Sequence, residues 1–146
     1  MSEKSELPAI FQLCSAPLNP ASLVELVKRP HCGAVLLFIG TTRDHFNGRR
    51  VVELEYEAYE SLATSVVQEI ACEIVEQWPG TMLAIEHRIG VVGVMEPSVA
   101  IAVSTAHREQ AYLASRYAID ELKKRVPIWK LERFEDGSQW KENQLF

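Results

Sequence analysis

The chain has 146 residues, 47% of them hydrophobic and 24% charged, which is the size and make-up of one globular domain with a substantial core. Fifteen Lys and Arg against 20 Asp and Glu give a formal charge of −5, which excludes the broad positive field used in general binding to nucleic acid or anionic membrane. Cys14, Cys32 and Cys72 form no CxxC pair, residues 1–18 lack a basic start followed by a long apolar run, and no segment reaches about 18 uninterrupted apolar residues; the expectation is a reduced cytoplasmic protein without zinc site, disulfide framework, secretion signal or membrane span.

Asn19-Pro20 ahead of Leu23, Val24, Leu26 and Val27 predicts a short helix, with asparagine as cap and proline at the first helical position, ending near Pro30. The apolar run Ala34-Val35-Leu36-Leu37-Phe38-Ile39 within residues 33–42 predicts a strand buried on both faces, at the centre of a sheet. A polar loop over 43–50 carries the Asn47-Gly48 turn signal, after which Val52, Leu54, Tyr56 and Ala58 alternate with Glu53, Glu55 and Glu57 on a half-exposed strand. Leu62, Val66, Ile70, Ile74 and Trp78 fall on one face of a helix over 61–78 that Pro79-Gly80 stops. Leu83, Ile85, His87 and Ile89 alternate on a further strand, and 99–105 forms another, apolar one. A helix over 108–124 follows, whose stripe of Ala111, Ser115, Ala118 and Leu122 permits close approach to a sheet. Residues 128–134 and 138–141 then flank the hairpin signal Asp136-Gly137. Strands and helices mixed in this order, several joined by turns too short for crossovers, define the α+β class in a single domain.

Three places put polar groups at the ends of apolar strands. In Ser104-Thr105-Ala106-His107-Arg108 a strand passes into a helix, where free backbone N–H groups and the fork of Arg108 suit an anion; a plain helix cap accounts for the same residues equally well. Gly40-Thr41-Thr42-Arg43-Asp44-His45 leaves the most apolar strand with a glycine that permits close approach by a ligand or a neighbouring strand, and Arg43 is its residue of interest; Arg49 and Arg50 read as solvated loop charges. The third is Leu122-Lys123-Lys124-Arg125-Val126-Pro127-Ile128-Trp129-Lys130, cations concentrated in an acidic chain. Lysines in a last helical turn are favoured by the macrodipole whatever the function, which suffices for Lys124. Lys130 is different, since it shares a strand face with Ile128 and Glu132. If Pro127 turns the chain so that Lys123 and Lys130 face one cavity, mutual repulsion and partial burial make a lysine a usable acid, base or nucleophile. Tyr56, Glu57 and Tyr59, among alternating glutamates, read first as a solvated face.

Taken together, Phe38-Ile39-Gly40-Thr41-Thr42-Arg43, Leu54-Glu55-Tyr56-Glu57-Ala58-Tyr59, His87-Arg88-Ile89-Gly90, Ser104-Thr105-Ala106-His107-Arg108 and the Leu122 to Lys130 segment resemble, in order and spacing, the large catalytic subunit of molybdopterin synthase. The resemblance runs from Asn19 to Glu142 and leaves residues 1–18 uncovered. It implies an α/β hammerhead-like fold with an additional antiparallel β-sheet subdomain. It also implies a homodimer flanked, in a heterotetramer, by small ubiquitin-like sulfur-carrier subunits. The carrier's C-terminal thiocarboxylate would deliver sulfur to cyclic pyranopterin monophosphate, giving the dithiolene of molybdopterin in two transfers with no metal, ATP or other cofactor. Residue by residue, Lys123 and Lys130 match the family's catalytic lysines, while Arg43, His107 and Arg108 match its anion and substrate positions; Arg125, within the same basic motif, is assigned to substrate as well. Two departures stand out. Gln144, in a short uncharged end, occupies a region where relatives carry basic residues, and Thr42 replaces a common valine, which is expected to change packing only.

A non-catalytic scaffold holding a carrier tail is the rival reading, but it needs only positive charge and would accept arginine, whereas proton transfer needs a group that can lose its proton. A nucleotide or phospholigand sensor lacks a glycine-rich phosphate loop here.

Overall fold

The computed structural model describes residues 9–141. Gln144 lies outside them. The chain opens with β1 (Ala9–Cys14), which periodicity did not predict, and continues through α1 (Pro20–Val27) and β2 (Ala34–Thr41). The short β3 (His45–Phe46) and β4 (Arg49–Ala58) form a hairpin closed by Asn47-Gly48, where φ of 52° and 77° meets the need of a two-residue turn for two left-handed residues. Then come α2 (Glu60–Gln77), β5 (Met82–Arg88), β6 (Gly90–Gly93), β7 (Pro97–Thr105), α3 (Arg108–Arg125), β8 (Ile128–Phe134) and β9 (Gly137–Lys141).

Two sheets result. The first has the order β1-β5-β7-β2, parallel between β1 and β5 and antiparallel elsewhere; the second is antiparallel, with β3-β4-β8-β9 in order and β6 also paired to β4. Helix α1 covers one face of the first sheet, where Leu18, Leu23 and Val27 meet Ala84, Ala100 and Ala102. On its other face α2 and α3 pack, and their buried residues join those of the second sheet in one core that includes Val67, Ile74, Ile85, Ile101, Leu122 and Ile128. The small-residue stripe of α3 is buried as expected, with Ala114 and Ile119 added to it. The model is thus a mixed α+β protein of two sheets and three helices over the described residues.

Three local expectations are corrected. The apolar run of β2 sits at a sheet edge, bonded only to β7 among the described residues, and leaves Val35 and Ile39 exposed; the interior strands are β5 and β7, the latter buried from Ser98 to Thr105. An apolar run records how much of a strand is covered, and cannot tell a central position from an edge flanked by helices. In β4 the alternation breaks at Val52, which is exposed, because a register shift between Val51 and Glu53 turns Val51 inward alongside Leu54 and Tyr56. In α2 the buried face is Ala63, Val67, Ile70, Ala71 and Ile74, while Leu62 is exposed. The two alanines bring the helix axis close to its neighbours, so the smallest side chains point inward and the leucine does not. β1, likewise unforeseen, is secured at its start by Gln68 of α2, whose amide accepts from Ala9 N at 3.1 Å and donates to Ala9 O at 2.9 Å.

This phase of α2 is testable by paired substitutions. Leu62→Ala should change unfolding free energy by no more than ~0.5 kcal/mol, whereas Ala63→Leu should destabilise by about 1–3 kcal/mol through overpacking, both read from denaturant midpoints.

Candidate functional site

Where β2 ends, the chain passes over the open side of the β4–β8 pair and encloses a cavity of about 380 Å³. Its base is one face of the second sheet. The register sets Leu54 opposite Glu132 and Tyr56 opposite Lys130, and all four side chains line the cavity. The other face of the same pair carries Glu53 and Glu55, which bind Arg133 at 2.9 and 2.7 Å. The glutamates of β4 are therefore the outward face anticipated from the sequence, whereas Tyr56 belongs to the interior.

Lys130 and Glu132 are the buried charges of the site. Their side chains are 6% and 3% exposed, with Nζ 3.5 Å from Oε2. Their i, i+2 spacing on one strand face was visible in the sequence; that the face was the buried one was not. Lys123 reaches the same cavity from the last turn of α3, which ends as Val126 N donates to Leu122 O and Pro127 redirects the chain into β8. Two lysines from different elements thus share one cavity. Lys124 points outward to Glu121 at 3.5 Å, as a plain macrodipole lysine would.

Arg43 lines the cavity mouth, its guanidinium 5.9 Å from the centroid of Phe46, and has no ion-pair partner among the described residues. The strand end that carries it is fitted tightly to the sheet. A Cβ on Gly40 would lie 2.8 Å from Val99 Cγ1, so this glycine serves a neighbouring strand and not a ligand. The hairpin bearing His45 and Phe46 is held down by Arg49, which grips Asp136 with Nη2 to Oδ1 at 2.7 Å and Nε to Oδ1 at 3.1 Å and stacks 3.7 Å over the ring of Phe134. Arg49, expected to be a solvated loop charge, is a clasp between the tips of two hairpins.

The remaining predicted residues are not brought to the cavity within one chain. His107 and Arg108 are exposed at the start of α3 and do not line it, and the hydroxyls beside them are engaged locally, Thr105 Oγ1 donating to His107 O at 2.6 Å and Ser104 Oγ to Val27 O. Arg125 is also placed away from the cavity. It lies on the α2–α3 seam, bound to Glu73 at 2.7 Å and Glu121 at 3.1 Å, with Tyr117 also donating to Glu73 at 2.6 Å. A basic motif read as one unit is divided here by the helical period, which sends Lys123 inward and Arg125 against the neighbouring helix.

Behind the cavity wall a neutral polar layer supports Lys130. Burial pushes the Tyr56 phenol up to about 12, against the smaller opposing effect of its hydrogen bond with Ser98, so Tyr56 stays protonated through the neutral range. His87 packs edge-on to it, ring centroids 4.9 Å apart, and its Nδ1–H donates to Arg88 O at 2.8 Å. Burial holds the His87 imidazole down at about 4, so it too is neutral at pH 7. Among the described residues, no group of three or more His, Cys, Asp and Glu side chains is placed to hold a metal ion, and no helix is long and apolar enough to cross a membrane.

The chain is thus an α+β domain that gathers Arg43, Lys123 and Lys130 around one cavity at the open end of a strand pair. The MoaE protein family model matches residues 13–125. The molybdopterin synthase catalytic subunit of Bacillus subtilis is 47% identical over 135 residues, covering 92% of this chain and 86% of that protein. That of Homo sapiens is 44% identical over 144 residues, covering 99% and 76%. Among solved structures, molybdopterin synthase from Staphylococcus aureus superposes with a TM-score of 0.86 at 42% identity, covering 90% of this chain and 96% of that one. The complex of subunits 1 and 2 of molybdopterin-converting factor from Helicobacter pylori, at a TM-score of 0.74 and 20% identity, shares the fold. The chain belongs to the MoaE protein family, alongside proteins named molybdopterin synthase catalytic subunit.

The depressed His87 sets an acid limit on stability. The unfolded chain takes up a proton near pH 6.5 and the folded one only near 4, so stability is fully present above 6.5 and declines as pH falls through this window. His87→Gln should remove roughly 3 kcal/mol of that decline, seen as a flatter dependence of urea midpoint on pH between 6.5 and 4.

Proposed function

We propose that this chain is the catalytic subunit of a molybdopterin synthase, moving sulfur from the C-terminal thiocarboxylate of a small ubiquitin-like carrier to cyclic pyranopterin monophosphate. The observation that carries the reading is the convergence of Lys123 and Lys130, from α3 and β8, on one cavity with Arg43 at its mouth. Both reactants are anions, and an otherwise acidic chain has concentrated cations where they would meet. In this reading the two sheets, joined through α2 and α3, form the hammerhead-like body and its added subdomain.

The division of labour follows from burial. Lys123, half-buried at a helix end, engages the carrier's thiocarboxylate as it enters and stabilises charge developing on its carbonyl oxygen. Lys130, deeper and beside Glu132, transfers protons at the pterin side chain, with Glu132 holding its ammonium in place. In each transfer the thiocarboxylate sulfur bonds to a pterin side-chain carbon as a carbon–oxygen bond there breaks, and water then hydrolyses the resulting thioester, leaving the sulfur on the pterin and returning the carrier tail as a carboxylate, so the dithiolene consumes two carriers. Arg43 binds the substrate anion. His107 and Arg108, exposed at the start of α3, serve the other copy's cavity in the homodimer; the open edge of β2, with Val35 and Ile39 exposed, supports such an association. Arg125 contributes indirectly, by fixing the last turn of α3 against α2.

The test is single-turnover conversion of cyclic pyranopterin monophosphate by this protein with a thiocarboxylated carrier. Natural protein should form product, and Lys123→Ala and Lys130→Ala should each slow it at least ~100-fold, the loss typical of a positioned acid–base group. Carrier binding without product from the natural protein would replace the enzyme with a tail-holding scaffold.

A further inference from the structure

Thr42 is 3% exposed and lines the cavity beside Arg43, yet its Oγ1 is buried without a hydrogen-bond partner among the described residues. Its backbone is fully engaged, N donating to Glu96 O at 3.2 Å and O accepting from Met95 N at 2.8 Å, so the position of the residue is fixed while its hydroxyl is left over. Other buried hydroxyls of the same sheet are occupied. Ser98 donates to Gly40 O at 3.3 Å and Thr105 to His107 O at 2.6 Å. Valine has nearly the shape of threonine and carries no hydroxyl to desolvate, so packing alone would favour valine at this position. The expectation that threonine here changes packing only is therefore not what the structure supports.

Resting on the function proposed above, we propose that Thr42 is a substrate-binding residue whose hydroxyl donates a hydrogen bond to an anionic oxygen of the bound reactant. Donor and cation then come from consecutive residues at the end of β2. Arg43 has no carboxylate bound to it among the described residues, and Lys123 lines the same cavity, so an oxyanion there meets one neutral donor and two charges. The oxyanion is the phosphate of the pterin or the terminal group of the carrier tail. Either one supplies the hydrogen bond that the described residues do not.

Thr42→Val and Thr42→Ser separate this role from packing. Thr42→Val should raise the thermal midpoint of the free protein by roughly 3 °C, since an unused buried donor is removed, and should weaken ligand binding about tenfold or more. Thr42→Ser should keep affinity within about threefold although its lost methyl lowers the midpoint. Titration calorimetry with cyclic pyranopterin monophosphate and, separately, with carrier ending in a plain carboxylate identifies which oxyanion is bound; a loss confined to either one supports the proposal. Unchanged affinity of Thr42→Val for both overturns it, and if the natural protein still turns over, the sulfur-transfer reading stands. A natural protein that shows the Thr42-dependent binding but never forms product overturns the sulfur-transfer reading and keeps the hydroxyl's role.

Discussion

Antiparallel pairing of β4 with β8 sets Tyr56 against Lys130 and Leu54 against Glu132, and the cavity exists because these four side chains share one face of that pair. Side chains alternate with a period of two, so a slip of one residue would send Lys130 and Glu132 to solvent and bring Trp129 and Arg133 inward. The bulge at Val52 keeps the register of Leu54 and Tyr56 while turning Val51 inward as well, which closes the cavity floor at its hairpin end. Lys123 depends on the same frame from the other side. Its helix ends at Arg125, and only Val126 and Pro127 separate it from the strand that carries Lys130.

Keeping a lysine at 6% exposure has a large desolvation cost, and the site meets it with Glu132 at 3.5 Å and with neutral neighbours. Tyr56 and His87 are both held in their uncharged forms by burial, so neither adds a second buried charge beside Lys130 and Glu132. The polar groups further out are divided between two surfaces that do not mix. Arg133 neutralises Glu53 and Glu55 on the outer face, and Arg125 neutralises Glu73 and Glu121 on the helix seam.

Much of this was legible in the sequence where the signal was local. Asn19-Pro20, Asn47-Gly48, Pro79-Gly80 and Pro127 mark their boundaries by backbone chemistry that tertiary structure does not override, and β8 begins and ends where its alternation does. Lys123, Lys130 and Arg43, which line one cavity, were singled out because cations in an acidic chain stand out. What stayed hidden depends on position in the sheet. An apolar run does not say whether β2 is central or at the edge, β1 and β6 gain their strand character from partners far along the chain, and the buried face of α2 is marked by alanines that hydropathy ranks below leucine. The surroundings of Arg125 and Arg49 were hidden for a related reason: each is committed to a carboxylate remote in sequence, Glu73 for one and Asp136 for the other.

The clasp of Arg49 on Asp136 joins the start of β4 to the turn between β8 and β9. With Phe134 under the guanidinium, the two hairpin tips behave as a single lever in place of two independent fingers. The wall bearing His45 and Phe46 therefore cannot swing outward unless the β8–β9 tip moves with it or the clasp parts. Local opening of these hairpins is in consequence one coupled motion, and its stiffness is set by an ion pair at the molecular surface that added salt weakens.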